Sequence, residues 1–345
     1  MFLKILLIFV PLSIGLDMAN VNPLVVFAVS CLAIVPLADL LAKSTEQLAD
    51  FLGPTLGGLL NATLGNAPEL IICGLALSKG LQSVVKAAIA GSILMNLLLL
   101  LGVAMIAGGI RRERQKFNRA AAGMSAALLT LAAIGLMVPT LFHITSSKEN
   151  ELSLEISFLL FLMYLLSLLF TLVTHRQLFA RPEEADEHRE APTTGKGKVI
   201  AQLCVTAVVL AVVSEIMTDT LDPAIKAMGL NELFAGVVVL ASLGNVAQLI
   251  SAVRFARNDN MDLVMGTTVG AATQAALAVA PILVFAGRLL DQPMDLLFAP
   301  FEVLALALAV MVTGQLTHDG ESTWMEGAML VAVYLIFALG FYFSD

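Results

Sequence analysis

Charge is what this sequence has least of. Only 13% of its 345 residues are Asp, Glu, Lys or Arg, against about a quarter in a soluble domain. Such a chain has too little polar surface to cover a water-facing globule. The net charge of −8 leaves no basic face, which excludes nucleic acid as a partner. Cysteine is scarce: Cys31, Cys73 and Cys204 each lie in an apolar run without metal-site spacing, so neither a disulfide framework nor a zinc site is indicated. The three are expected to be small packing residues of helices. There are four histidines, His143, His175, His188 and His318, all at span ends or in loops. No phosphate loop and no Ser/His/Asp arrangement is present, and the chain is not expected to be an enzyme.

What remains is apolar. Hydrophobic residues make up 59% and mean hydropathy is +0.91. A helix needs about 20 apolar residues to cross a bilayer, and about eleven segments qualify. They run near 2–19, 23–43, 54–78, 83–109, 118–143, 151–174, 198–218, 232–256, 262–287, 297–317 and 324–343. The period-2 alternation of a membrane barrel is absent. The expected fold is therefore all-α, a polytopic protein with lipid around it. The first apolar run is read as an uncleaved span, because no small-residue cleavage site stands near Asp17–Asn20.

Positive charge sets orientation. Arg111, Arg112, Arg114, Lys116 and Arg119 follow the fourth span. Arg176, Arg181, Arg189, Lys196 and Lys198 follow the sixth, Arg254 and Arg257 the eighth, and Lys43 the second. The opposite side holds only Lys79, Lys148, Lys226 and Arg288. This bias puts the N-terminus in the cytoplasm and the C-terminus across the membrane. The short loops and compact size suit a bacterial-type inner membrane. The sequence sets no oligomeric state and is compatible with a homo-oligomer.

The chain repeats itself. Gly57-Gly-Leu-Leu-Asn-Ala-Thr-Leu-Gly-Asn-Ala-Pro-Glu69 aligns without gaps on Gly236-Val-Val-Val-Leu-Ala-Ser-Leu-Gly-Asn-Val-Ala-Gln248, and the same offset pairs Gly91 with Gly270. Five spans separate the copies, and an odd number inserts them in opposite directions. Two inverted five-helix repeats plus an extra N-terminal helix is the architecture of many secondary transporters, with the ion site at the midplane between the repeats. The expected units are residues 1–19, an N-terminal span; 20–179, the first repeat; 180–198, an acidic cytosolic linker carrying Glu183, Glu184, Asp186, Glu187 and Glu190; and 199–345, the second repeat.

Each repeat carries polar groups in mid-span, where ionisable residues are costly and functional. Pro68 lacks an N–H and crowds the Leu64 carbonyl, which would leave that oxygen free. Thr63, Asn66 and Glu69 fall near one face if the helix continues. Carboxylate, amide and carbonyl oxygens are what hard cations take. Ser242, Asn245 and Gln248 are the second-repeat counterparts. Ser92 and Asn96 follow in the fourth span, and Thr273 and Gln274 in the ninth. The expected cation ligands are Glu69, Asn66, Thr63, Leu64, Asn245, Gln248, Ser242, Ser92, Asn96 and Gln274, with Glu69, Asn66, Asn245 and Gln248 as the metal-holding core.

Gly65-Asn-Ala-Pro-Glu69 resembles the Gly-Asn-Ala-x-Glu signature of the cation/proton exchanger family, the calcium/proton branch of the calcium/cation antiporter superfamily. Leu97–Gly102, Phe255-Ala-Arg, Met261-Asp-Leu, Thr273-Gln, Phe301-Glu-Val-Leu-Ala and Trp324-Met-Glu-Gly extend the resemblance over nearly the whole chain. It implies proton-driven calcium transport, with two glutamates alternating between cation and protons, and no cofactor beyond the transported ions. It also implies that membrane acids such as Glu215, Glu302 and Glu46 line a proton path. The chain departs from the pattern where it matters. Gln248 replaces the second glutamate, Ala271 and Ala272 stand at usual serines, and so does Met95. One carboxylate leaves a divalent ion with residual charge in a low-dielectric site, and Gln248 carries no proton. Altered coupling with calcium, a monovalent cation, and a binding or regulatory role without exchange all follow as alternatives.

The charge bias predicts a labelling pattern. In right-side-out vesicles, with the three native cysteines replaced, Lys226→Cys should react with an impermeant thiol reagent and Glu113→Cys should not. The reverse pattern would overturn the assigned orientation.

Overall fold

The structure is a computed structural model describing residues 5–143, 149–175 and 195–344. Among the described residues, nine helices are long and apolar enough to cross a membrane. They are α2 (Pro23–Gly53), α3 (Leu56–Ser78), α4 (Gln82–Gly109), α5 (Arg119–His143), α6 (Glu151–Thr174), α7 (Lys196–Asp219), α8 (Glu232–Arg257), α9 (Met261–Leu289) and α11 (Trp324–Tyr342). Two shorter apolar helices, α1 (Leu6–Met18) and α10 (Pro300–Leu316), complete the eleven expected segments. A short helix, Leu221–Met228, joins α7 to α8.

Two boundaries differ from expectation. No loop forms at Lys43, because α2 runs on to Gly53 over 31 residues, about 46 Å at 1.5 Å per residue. Lys43 pairs with Asp39 one turn back at 2.5 Å. Ser44 and Thr45 donate to the carbonyls of Leu40 and Leu41. These local bonds let polar residues stay helical. The helix is interrupted only at Gly53, whose φ of 76° belongs to a region that side chains avoid. At the other boundary, α7 begins at Lys196, inside the segment expected as linker. The acidic residues 183–190 lie outside the described residues.

The two ends of the bundle keep the expected alternation. At one end the segments after α4, α8 and α10 meet. There β1 (Gln115–Lys116) pairs antiparallel with β2 (Glu321–Ser322), and Arg114 donates to Glu321 at 2.6 Å. Gln115 Nε2 donates to Ala256 O and Asp259 Oδ1 at 2.9 and 2.8 Å. At the other end, Lys79 after α3 pairs with Asp219 at the end of α7. Asn231 before α8 donates to Phe341 O in the last turn of α11 and to Ser344 O beyond it. The stretch between α9 and α10 is pinned there by Ser153 and Thr140, which accept from the N–H groups of Leu296 and Phe298.

The spans sort into inner and outer. The most apolar window of α4 is 83% buried and that of α9 is 72%, against 17% for α6. Large apolar side chains on the outer spans, such as Phe158, Leu162, Val205, Val208 and Ile336, are exposed, as lipid-facing residues are. Small residues bring the inner helices together. A Cβ on Gly91 would overlap the backbone of Val237, and one on Gly236 would overlap Ala87, so α4 and α8 cross in backbone contact. The repeat counterpart Gly270 has no such neighbour, so the second copy of this crossing is looser.

Gly91→Ala should therefore destabilise the fold by about 1–3 kcal/mol, the scale of overpacking against atoms that cannot yield. Gly314→Ala, in α10 with nothing within 4 Å of the new Cβ, should be neutral or gain up to about 1 kcal/mol of helix propensity. Thermal unfolding in detergent reads both. Equal melting temperatures would mean that the crossing is not tight.

Candidate cation site

The two signature segments take different backbones for one local reason. In α3 the helix ends at Leu64, Asn66 adopts φ −102° and ψ 20°, and a new helix starts at Ala67 with Pro68 in its first turn. Pro68 has no N–H to give Leu64 and clashes with its carbonyl. In α8 the equivalent residue is Ala247, and the helix runs unbroken from Ala241 to Arg257. Glu69 thus sits in the first turn of a half-helix, whose N-terminal dipole favours negative charge. Gln248 sits in mid-helix, without that field.

The repeats join through reciprocal amides. Asn66 of the first signature donates to Gln274 of α9 at 2.9 Å. Asn245 of the second accepts from Asn96 of α4 at 2.7 Å and donates to Ser92 Oγ at 3.1 Å. Each signature asparagine bonds a polar residue on the other repeat. Beside these bonds both receiving spans carry a π-helical stretch, Met95–Leu100 in α4 and Ala275–Val279 in α9. The wider turn is a recurrent feature of functional helices.

Glu69 is the charged centre. Both its oxygens are buried without a hydrogen-bond partner. A Cβ on Gly244 would lie 2.9 Å from Glu69 Oε1, so the glycine of the second signature makes room for the carboxylate of the first. Glu69 lines a cavity with Ile72, Cys73, Ser92, Ala241 and Gly244. The carboxylate is open to a cation or a proton, with one hydroxyl and the amide pairs nearby.

Not every expected ligand arrives there. Thr63 is exposed and donates to Leu59 O at 2.8 Å. It leaves the expected shared face because the helix breaks before Asn66. Leu64 is the last residue of the first half-helix. Ser242 donates to Val238 O, and Thr273 to Val269 O at 2.8 Å. Each hydroxyl is satisfied by the carbonyl four residues back. Gln248 Oε1 is buried without a partner, yet Gln248 does not line the Glu69 cavity. Of the acids, Glu46 is exposed, and Glu215 is exposed and faces Lys79 at 4.0 Å. Glu302 is 2% exposed. Its Oε2 accepts from Ala299 N at 2.7 Å while Oε1 has no partner. Lys86 pairs with Asp295 at 2.8 Å rather than entering the cavity. Gly244, expected only as part of the repeat, and Cys73, expected as a packing residue, both line the cavity. The spacing of Cys73, one turn after Glu69, was the signal for it.

A sodium/calcium exchanger protein family description matches residues 22–173 and 198–343, both repeats. The chain belongs to the sodium/calcium exchanger protein family. It is 39% identical to a Ca(2+)/H(+) antiporter of Aphanothece halophytica, over 98% of this chain and 95% of that protein. It superposes on the structure of native YfkE with a TM-score of 0.87 at 34% identity, covering 100% of both chains. The crystal structure of the H+/Ca2+ exchanger CAX shares the fold at a TM-score of 0.71, 14% identity and coverage of 99% and 91%. In this family setting the two copies are inverted repeats, and the Glu69 cavity lies between them.

Removing one amide tests the reciprocal pairing. Asn245 is fully buried, so Asn245→Ala removes the two bonds that tie it to Asn96 and Ser92, leaving Asn96 Nδ2 only its contacts to Ser92 on its own helix, and should cost about 1–3 kcal/mol. Thr63→Ala loses only a local bond and should stay within about 0.5 kcal/mol. Matching losses in the two variants would show that the amides do not tie the repeats together.

Proposed function

We propose that this chain is a secondary antiporter exchanging a small cation for protons, with calcium as the first cation and Glu69 as the group that carries each in turn. The buried carboxylate in a cavity between the repeats is the observation that carries the reading. The antiporter names and structures of its relatives supply the direction. A carboxylate held without a partner binds either a proton or a cation, and competition for one group couples their movement. Ser92 shares the cavity with it, and Asn66, Asn96, Asn245 and Gln274, bonded across the repeats, are the neutral oxygens a bound cation would recruit. Gln248 adds a further neutral oxygen when the site rearranges. No cofactor takes part beyond the transported ions.

Gln248 changes the stoichiometry. A glutamine oxygen ligates but carries no proton, so one calcium displaces about one proton from Glu69 rather than two. Each cycle then moves net charge and responds to membrane potential. A monovalent cation is the second reading, favoured by the same residue, because Glu69 alone balances a single charge. The end of the bundle that bears Arg111–Arg119 faces the cytoplasm, by the positive-inside rule. A bacterial-type inner membrane fits. Glu302 is the acid best placed for a proton path among Glu46, Glu215 and Glu302, because a buried, unpaired carboxyl oxygen is free to exchange one.

Proton flux in proteoliposomes driven by calcium, sodium or potassium tests the reading. Calcium-driven flux lost in Glu69→Gln, with about one proton per calcium rising toward two in Gln248→Glu, is the expected result. Undiminished flux in Glu69→Gln would remove Glu69 from the carrier role, and two protons per calcium in the unmodified chain would refute the altered coupling. Flux with sodium or potassium alone would select the monovalent reading. Flux that appears only in Gln248→Glu would mean that exchange has been lost.

A further inference from the structure

Cys73 stands one helical turn after Glu69 in Ala67–Ser78 and lines the same cavity. It is 5% exposed. Across the cavity, Gly244 and Ala241 add no bulk, and Ser92 adds a hydroxyl. Both Glu69 oxygens are buried and unpartnered, so the cavity already presents one vacant anionic ligand. A cation entering it meets a carboxylate, a sulfur and a hydroxyl. Neither Cys31 nor Cys204 lines this cavity. Among the described residues no group of three or more His, Cys, Asp or Glu stands together.

Sulfur changes which ions such a cavity prefers. Calcium takes oxygen ligands and gains little from a thiol. Softer divalent ions of the cadmium and zinc class gain strongly from one. We propose that the Glu69–Cys73 cavity binds a thiophilic divalent cation, with the Glu69 carboxylate and the Cys73 sulfur as its two anionic ligands. On binding, the sulfur–hydrogen bond is replaced by a sulfur–metal bond. The electron pair stays on sulfur, the proton leaves to water, and no oxidation state changes. Carboxylate and thiolate together balance a divalent charge, which Glu69 and the neutral Gln248 do not. The inference rests on the proposed function only in taking this cavity as an ion site, and it is measured by binding, without transport.

The test is equilibrium binding of Cd2+ and of Ca2+ to the detergent-purified full chain, with the ultraviolet sulfur-to-cadmium charge-transfer band recorded in parallel. The chain and its Cys31→Ala/Cys204→Ala variant should both show the band. Cys73→Ser should lose it, and its Cd2+ affinity should fall about tenfold or more while that for Ca2+ moves far less. A band that persists in Cys73→Ser, or Cd2+ and Ca2+ affinities that fall together, would overturn the proposal. Should Cys73→Ser fail to fold, the unmodified chain decides. Cd2+ should protect Cys73 from N-ethylmaleimide, as read by mass spectrometry, and equal labelling with and without Cd2+ overturns the proposal. A charge-transfer band without any calcium-driven flux would sink the exchange reading and leave this one standing. Calcium flux without the band would do the opposite.

Discussion

A carboxylate buried without a partner is the constraint around which this molecule is arranged. Leaving Glu69 charged in a low-dielectric interior costs several kcal/mol unless a proton or a cation joins it. The surrounding structure makes that vacancy tolerable without filling it. Pro68 starts a new half-helix beneath the carboxylate, so its N-terminal dipole points at the charge. Gly244 yields the space that a side chain would occupy. The amides that might have bonded Glu69 are held by one another across the repeat boundary. If an asparagine nitrogen donated to the carboxylate instead, the charge would be satisfied permanently and a cation would have less to gain.

The same pattern explains why two copies of one motif are not chemically equivalent. Asn66 and Asn245 both reach across to the other repeat, and both receiving spans have a π-helical stretch beside the receiving residue. The difference lies in the backbone and the charge. Ala247 lets α8 continue where Pro68 breaks α3, and Gln248 is neutral where Glu69 ionises. The first repeat thus holds both the helix break before the signature acid and the ionisable side chain, while the second supplies space and a neutral amide. The glycine contacts follow suit, with Gly91 and Gly236 locking α4 to α8 and Gly270 left without a close neighbour. That crossing joins the repeats, because α4 belongs to the first and α8 to the second.

Much of this was legible in the sequence because water-loving groups in apolar spans stand out. Eleven apolar segments, the alternation of loops between two ends, and the mid-span polar positions Glu69, Asn66, Asn96, Asn245 and Gln274 all follow from polarity at depth. Hydroxyl groups were another matter. Thr63, Ser242 and Thr273 look like ligands by composition, but a hydroxyl can bond the carbonyl one turn back and need nothing else. Only tertiary structure separates them from Ser92, which lies against Asn245. The end of α2 was misplaced for a related reason. Lys43, Ser44 and Thr45 look like a loop, yet each finds a partner within one turn and the helix carries on to Gly53. Cys73 was hidden by its type, since a thiol in an apolar run is most often packing. The helix places it one turn beyond Glu69, on the wall of the same cavity.

A transported ion must be released as well as bound, and that limits how good any site can be. Selective pathways need binding strong enough to admit an ion and weak enough to let it go. One carboxylate with neutral amide oxygens meets that limit for a singly charged ion, and falls short of balancing a doubly charged one. A second anionic ligand is then decisive, and the two anionic candidates differ in kind. A glutamate at position 248 would strengthen the site for every divalent ion. A thiol at Cys73 strengthens it only for those that bond sulfur. With Gln248 at the first position and Cys73 on the cavity wall, a sulfur-bonding ion is the divalent ion whose charge the proposed ligands would balance.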